Sequence, residues 1–238
     1  AGAGPMGLGA IDYAIHREQR PKLLVVTDIN QERLDRAAAI YTVEEAAKNG
    51  VKLVYLNTNS VADPLEYILS LTDGQGYDDV FVFAPVRAVV EMADQMLARD
   101  GCLNFFAGPT DPGFKAEFNF YNVHYNSTHL VGTSGGNTDD LIESLQLMES
   151  GVINPSAMIT HVGGLNSVVE TTLNLPNIPG GKKLIYTNIE MELTAIDDFA
   201  EKGKTDPLFA ALAEIVAKNN GLWCVEAEQY LLKHAKPI

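Results

Sequence analysis

Ala1-Gly2-Ala3-Gly4-Pro5-Met6-Gly7 opens the sequence, and the reading of the whole chain turns on it. It is a G-x-G-x-x-G stretch. In a strand–loop–helix unit its three glycines do different work: one permits the tight turn, one lets a pyrophosphate approach the backbone, and one lets helix pack on strand. The residues from Leu8 to Ile15 suit a helix with Met6, Leu8 and Ile11 near one face. The N-terminus of such a helix presents free N–H groups and the positive dipole end to phosphate. A glycine turn alone would look the same, so the neighbours decide. Leu23-Leu24-Val25-Val26-Thr27 is an apolar run that reads as a buried parallel strand. Asp28 closes that strand about twenty residues after the last glycine, where a carboxylate accepts from ribose hydroxyls. Its other reading is a cap for a helix starting near Gln31.

Working outward, strands and helices alternate, which predicts an α/β, Rossmann-type doubly wound parallel sheet with a C-terminal returning segment and a helical tail. Helices are expected over 31–49, 64–71, 86–98 and 139–150. Strands are expected over 52–56, 79–84, 102–107 and 129–132. Further strands are expected at 158–162 and 183–187, with a helix at 165–173 between them and helices over 207–218 and 226–234 at the end. The domain reading is 1–133 for the nucleotide-binding domain with its first strand missing, 134–187 for a segment returning to a catalytic domain, and 188–238 for a helical extension. A first strand should precede the glycine loop, yet only Ala1 does. The expectation is therefore a piece of a longer chain, unless the sheet closes without a gap beside the loop.

Bulk properties narrow the partners. Hydrophobic residues make up 46% and charged residues 20%, enough for a real core. The formal net charge of −14 argues against nucleic acid and disfavours anionic surfaces, so a phosphorylated ligand needs local donors. No apolar run is long enough to span a bilayer. Cys102 and Cys224, the only cysteines, suggest a reducing, cytoplasmic setting and form no familiar zinc spacing. Cys102 lies in a strand run and reads as a buried thiol. His16, His124, His129, His161 and His234 form no metal motif. No G-x-S-x-G elbow or Walker A sequence occurs; Ser134-Gly135-Gly136 reads as a site of close backbone approach to a cofactor.

Several segments, taken in order, resemble the zinc-dependent medium-chain alcohol and polyol dehydrogenases, and within them the L-sorbose-1-phosphate reductases. They are Gly-Ala-Gly-Pro-Met-Gly from Gly2, Val25-Val-Thr-Asp-Ile-Asn, Asp100-Gly-Cys-Leu-Asn-Phe-Phe-Ala-Gly and Gly151-Val-Ile-Asn-Pro-Ser-Ala-Met-Ile-Thr-His-Val. The resemblance covers residues 2–187; the tail after Ile189 is less usual. It implies that Gly2, Gly4, Pro5, Met6 and Gly7 hold the pyrophosphate of NAD or NADP. It implies that Asp28 reads the adenosine ribose, with a lean toward NAD. Arg33 would contact that ribose, or else be a solvated helix charge. Ala84, Ala107 and Thr133 would line the nicotinamide, and Lys183 would reach the pyrophosphate. The resemblance also implies a sugar or polyol substrate, a homo-oligomer, and a catalytic zinc held by a Cys, a His and an acidic residue N-terminal to the glycine loop. No catalytic or metal-binding residue is therefore expected here. The reading is an oxidoreductase part, the alternatives being a cofactor-binding module without catalysis or a zinc-free Rossmann reductase.

Overall fold

The computed structural model describes residues 1–238. They form two compact units, Ala1–Ile153 and Asn154–Ile238. The division thus falls at 153/154, where the sequence reading drew boundaries at 133/134 and 187/188.

In the first unit the glycine loop runs into α1 (Pro5–His16). Proline at the first helical position costs no hydrogen bond there, and Leu8, Ile11 and Ile15 give the helix a buried stripe. There follow β1 (Leu23–Asp28), α2 (Gln31–Ile40), α3 (Val43–Lys48) and β2 (Lys52–Asn57). The helix expected over 31–49 is two: at Tyr41 the first ends, and the Thr42 side chain accepts from Glu45 N–H to start the second. Next come α4 (Pro64–Ser70), β3 (Tyr77–Val82), α5 (Arg87–Gln95) and β4 (Leu97–Phe105). The helix expected to run to residue 98 stops at Gln95. Asp100-Gly101 does not end an element but bends β4, with Asp100 at φ 62° and the β3–β4 register shifted nearby. A Cβ on Gly101 would sit 2.8 Å from two carbonyl oxygens, so only glycine fits the bend. The unit closes with α6 (Phe120–Tyr125), β5 (His129–Gly132) and α7 (Thr138–Glu149).

The strands form two parallel ladders. β1 pairs with β2 from Leu23↔Lys52 to Asp28↔Asn57, and β4 sits between β3 and β5. β1 and β3 do not pair with each other. What joins them is the first dipeptide: Gly2 N–H donates to Thr27 O at 2.8 Å, the Ala1 amine to Phe81 O at 2.6 Å, and Phe83 N–H to Ala1 O at 2.9 Å. The β3–β5 ladder carries a core of Val80, Val82, Val90, Met96 and Leu103.

The second unit contains β6 (Ile159–Gly164), α8 (Val168–Asn174), β7 (Lys182–Tyr186), β8 (Ile189–Glu190), β9 (Thr194–Ala195), α9 (Phe199–Lys202), α10 (Pro207–Lys218), α11 (Val225–His234) and β10 (Lys236–Pro237). β6 is central, parallel to β7 and antiparallel to β9, while β8 pairs with β10. The strand at 182–186 is therefore not the last. Residues after 188 are no appendage to this unit: Val162 shares one core with Phe199, Leu212, Trp223 and Leu231. A hydrogen-bond chain crosses that core, from Trp223 Nε1 to the Tyr186 hydroxyl (3.0 Å) and from that hydroxyl to Glu228 Oε2 (2.5 Å). Burial, helped by the Glu228 carboxylate, pushes the Tyr186 hydroxyl far above the ordinary phenol range.

Candidate cofactor site

The carboxyl ends of β1, β3, β4 and β5 lie side by side, and the glycine loop enters between the first two. This edge is where open α/β sheets bind ligands. Asp28 closes β1, Ala84 follows β3, Ala107 follows β4 and Thr133 follows β5. Counting the loop as one strand position, the track spans four strand spacings, on the order of 19 Å.

The glycines divide their work as the backbone requires. Gly2 sits at φ +101°, with the Phe83 Cβ only 3.3 Å from where its own Cβ would be. A Cβ on Gly7 would lie 2.1 Å from Gly2 O, so this position must be bare for the loop to close on its helix. A Cβ on Gly4 would meet nothing within 4 Å, at an ordinary φ of −71°. Packing alone therefore does not require glycine at Gly4. It lies at the N-terminus of α1, where no side chain caps the helix and where Met6 and Gly7 N–H groups have no intrahelical acceptor. A diphosphate fits that donor set and that space.

Asp28 is 6% exposed in its side chain, and both oxygens are held by backbone: Ala3 N–H donates to Oδ2 at 2.8 Å and Asn30 N–H to Oδ1 at 2.9 Å. The carboxylate thus orders the glycine loop as well as facing the edge. It does not cap α2; Asn30 does, its side chain accepting from Arg33 N–H at 3.1 Å. Arg33, 60% exposed, brings a guanidinium nitrogen 4.0 Å from Asp28 Oδ2. Ile29 escaped the sequence reading. It is 65% exposed beside the carboxylate, and the signal available was a large aliphatic residue between an acid and a cap. A flat apolar ring could rest there.

The remaining predicted residues separate. Ala107, 7% exposed, donates its N–H to Val82 O at 3.0 Å, and the Thr133 hydroxyl donates to Asn104 Oδ1 at 3.3 Å, so both stay on the first unit's edge. Pro5 and the 40%-exposed Met6 form the first turn of α1. Lys183 belongs to the second unit, on β7. Its ammonium is caged by the carbonyls of Ile178 (3.3 Å), Pro179 (2.8 Å) and Gly181 (2.8 Å), and burial holds its pKa below the ordinary lysine range. In this arrangement the charge ties its own loop together.

The histidines have separate partners. His124 lies in α6 rather than in a loop, edge-on to Tyr125; His129 meets Asp100 at 3.0 Å; His161 Nδ1 lies 2.9 Å from the Thr160 hydroxyl. No three His, Cys, Asp or Glu side chains come together in a metal-holding arrangement. Cys102 is part-buried, and burial raises its thiol pKa. No helix is long and apolar enough to cross a membrane.

Comparison with known proteins gives a consistent picture. The profile described as "Zinc-binding dehydrogenase" matches residues 5–150. A mannitol-1-phosphate 5-dehydrogenase from Aliivibrio fischeri is 58% identical over 231 residues, which are 97% of this chain and 55% of that protein. An L-sorbose 1-phosphate reductase from Klebsiella pneumoniae is 47% identical over 237 residues, 100% of this chain and 54% of that protein. The chain spans about half the length of the curated relatives it matches. Among solved structures, the 2R,3R-butanediol dehydrogenase of Bacillus subtilis superposes with a TM-score of 0.61 at 20% identity, covering 79% of this chain and 49% of that one. At that identity the likeness is one of fold.

Proposed function

The chain belongs to the zinc-binding dehydrogenase family, and from that premise we propose that it is the dinucleotide-binding part of an oxidoreductase. The reaction is hydride transfer between NAD(P)(H) and a sugar, polyol or sugar phosphate such as L-sorbose 1-phosphate. The observation that carries the cofactor half is the unfilled space at Gly4, at a helix N-terminus and one residue from the Ala3–Asp28 hydrogen bond. Gly4, Met6 and Gly7 hold the pyrophosphate through backbone N–H groups. Asp28 exchanges its bond to Ala3 for the ribose hydroxyls, Arg33 flanks them, and Ile29 offers the adenine an apolar face. Backbone after Ala84, Ala107 and Thr133 lines the nicotinamide end. The bound nicotinamide supplies the hydride acceptor or donor; this chain's own residues orient it and exclude water from one face. Two charges at the ribose, Asp28 and Arg33, act in opposite senses on a 2′-phosphate, and the more buried Asp28 favours NAD(H).

The substrate reading rests on the relatives, two of which bear the names of sugar-phosphate enzymes. The zinc that names the family is placed outside residues 1–238, on the resemblance that assigns its ligands N-terminal to the glycine loop. The protein is further proposed to be a homo-oligomer, supported by apolar residues at 42–63% exposure on β5 and α7: Leu130, Val131, Leu141 and Leu145.

Titration with NADH, followed by its own emission, tests the site. Gly4→Val projects two methyl groups into open space, so the fold survives while NADH affinity falls at least about tenfold, or 1.4 kcal/mol. Equal affinity in parent and variant, with unchanged melting, removes the assignment.

A further inference from the structure

The C-terminal end of α1, opposite to the end that carries Gly4, holds a cluster the cofactor site does not use. His16 is the last residue of the helix, and both of its ring nitrogens meet carboxylates. Nδ1 lies 2.8 Å from Asp12 Oδ1 and 3.1 Å from Asp12 O, one turn back in the same helix. Nε2 lies 3.2 Å from Glu45 Oε1, on α3. The Asp12 side chain is 5% exposed and that of Glu45 42%. Tyr41, after α2, and Tyr55, on β2, are the cluster's other titratable groups. Burial first, then Asp12 for Tyr41 and Glu45 for Tyr55, lifts both hydroxyls far above the ordinary phenol range, so both stay protonated around neutral pH. Arg17, next in the chain, lies over the Tyr13 ring, 4.9 Å from its centroid.

An ionised carboxylate accepts hydrogen bonds and donates none. Two of them on one ring call for two N–H groups, which only the imidazolium has. The helix end works in the same direction, because the last turn of a helix favours a cation. Loss of a proton leaves one nitrogen bare in front of a carboxylate, and the two sides are unequal. The Asp12 contact is the shorter and the more buried; Glu45 is part-exposed and has water to turn to. The neutral ring therefore keeps its N–H at Nδ1, and the contact that opens is the one joining α1 to α3.

We propose that His16 is a pH-sensitive clamp between α1 and α3, closed as an imidazolium and opened at Glu45 when the ring loses its Nε2 proton. The folded state favours the protonated ring. Its contribution to stability is thus full in mild acid and is lost as pH rises through and above the range where histidine ordinarily gives up its proton, about pH 5 to 8. The clamp is independent of the dehydrogenase reading.

Proton–nitrogen correlation NMR of the imidazole tests this on the unaltered chain, with His16→Gln identifying the signals. At about pH 5.5 both ring nitrogens of His16 should carry protons. In the alkaline form the remaining proton should sit on Nδ1, the reverse of the form a free imidazole side chain prefers. A neutral ring in mild acid, which puts the shared proton on Asp12, overturns the proposal, and so does an alkaline Nε2–H form. Glu45→Gln gives a second measurement, since its amide can face either state of the ring. Its fall in Tm from about pH 6 to about pH 8.5 should be about 2 °C smaller than the parent's. Equal falls in the two proteins would show that no clamp opens.

Discussion

At the scale of single residues, the two glycines flanking Pro5-Met6 part company. Gly4 has room and Gly7 has none, so the same kind of substitution should separate binding from folding. Gly7→Ala drives a methyl against Gly2 O at 2.1 Å and forces the loop off its helix. The cost is about 1–3 kcal/mol, seen as a fall in Tm of several degrees by calorimetry; an unchanged Tm would show that the loop yields freely. Much of this was readable in advance, since a glycine spacing followed by a strand-ending acid encodes backbone demands rather than packing. The Asp28 carboxylate's bond to Ala3 was not readable: one acid can serve a ribose or a loop, and only the geometry shows that it now serves the loop. Lys183 illustrates the opposite case. A basic residue in a matching position is sequence information, but three carbonyls converging on its ammonium come from the turn at 178–181.

At the scale of elements, strong alternation made the core strands legible, and their limits were off by two residues or fewer except at the start of β4, which begins at Leu97 where the strand was expected from Cys102. The misses have local causes. α6 follows a stretch containing Gly108-Pro109 and Asp111-Pro112-Gly113, which reads as loop, and its aromatic residues are largely exposed, so no apolar period announces it. Asp100-Gly101 carries the composition of a helix stop yet lies within a strand, because a left-handed residue can bend a ladder as well as end one. β5 is the most telling element. All four of its residues are exposed although it is paired along one side to β4. An edge of this kind is a template for another strand. Val131→Lys places a charge at 42% exposure on that edge without touching the buried core. It is expected to shift the protein toward monomer in light scattering while leaving NADH affinity intact; an unchanged mass would move the assembly surface elsewhere.

At the scale of the whole molecule, the chain divides into a first unit, for which cofactor contacts through backbone are proposed, and a second unit whose substance is a packed core. The family resemblance extended well into the second unit, but the sequence suggested a separate tail where the structure has one core, because strand β6 and helices α10 and α11 are far apart along the chain and meet only through hydrophobic side chains. That core holds the protein's single tryptophan, Trp223, 3% exposed and hydrogen-bonded to Tyr186. Light selectively absorbed by indole consequently interrogates one half of the protein and is blind to the other. Emission excited at the red edge should stay blue through any opening of the glycine-loop half and redden only when the α10–α11 core comes apart, so that a red shift brought on by Gly7→Ala alone would reveal that the two halves fail together.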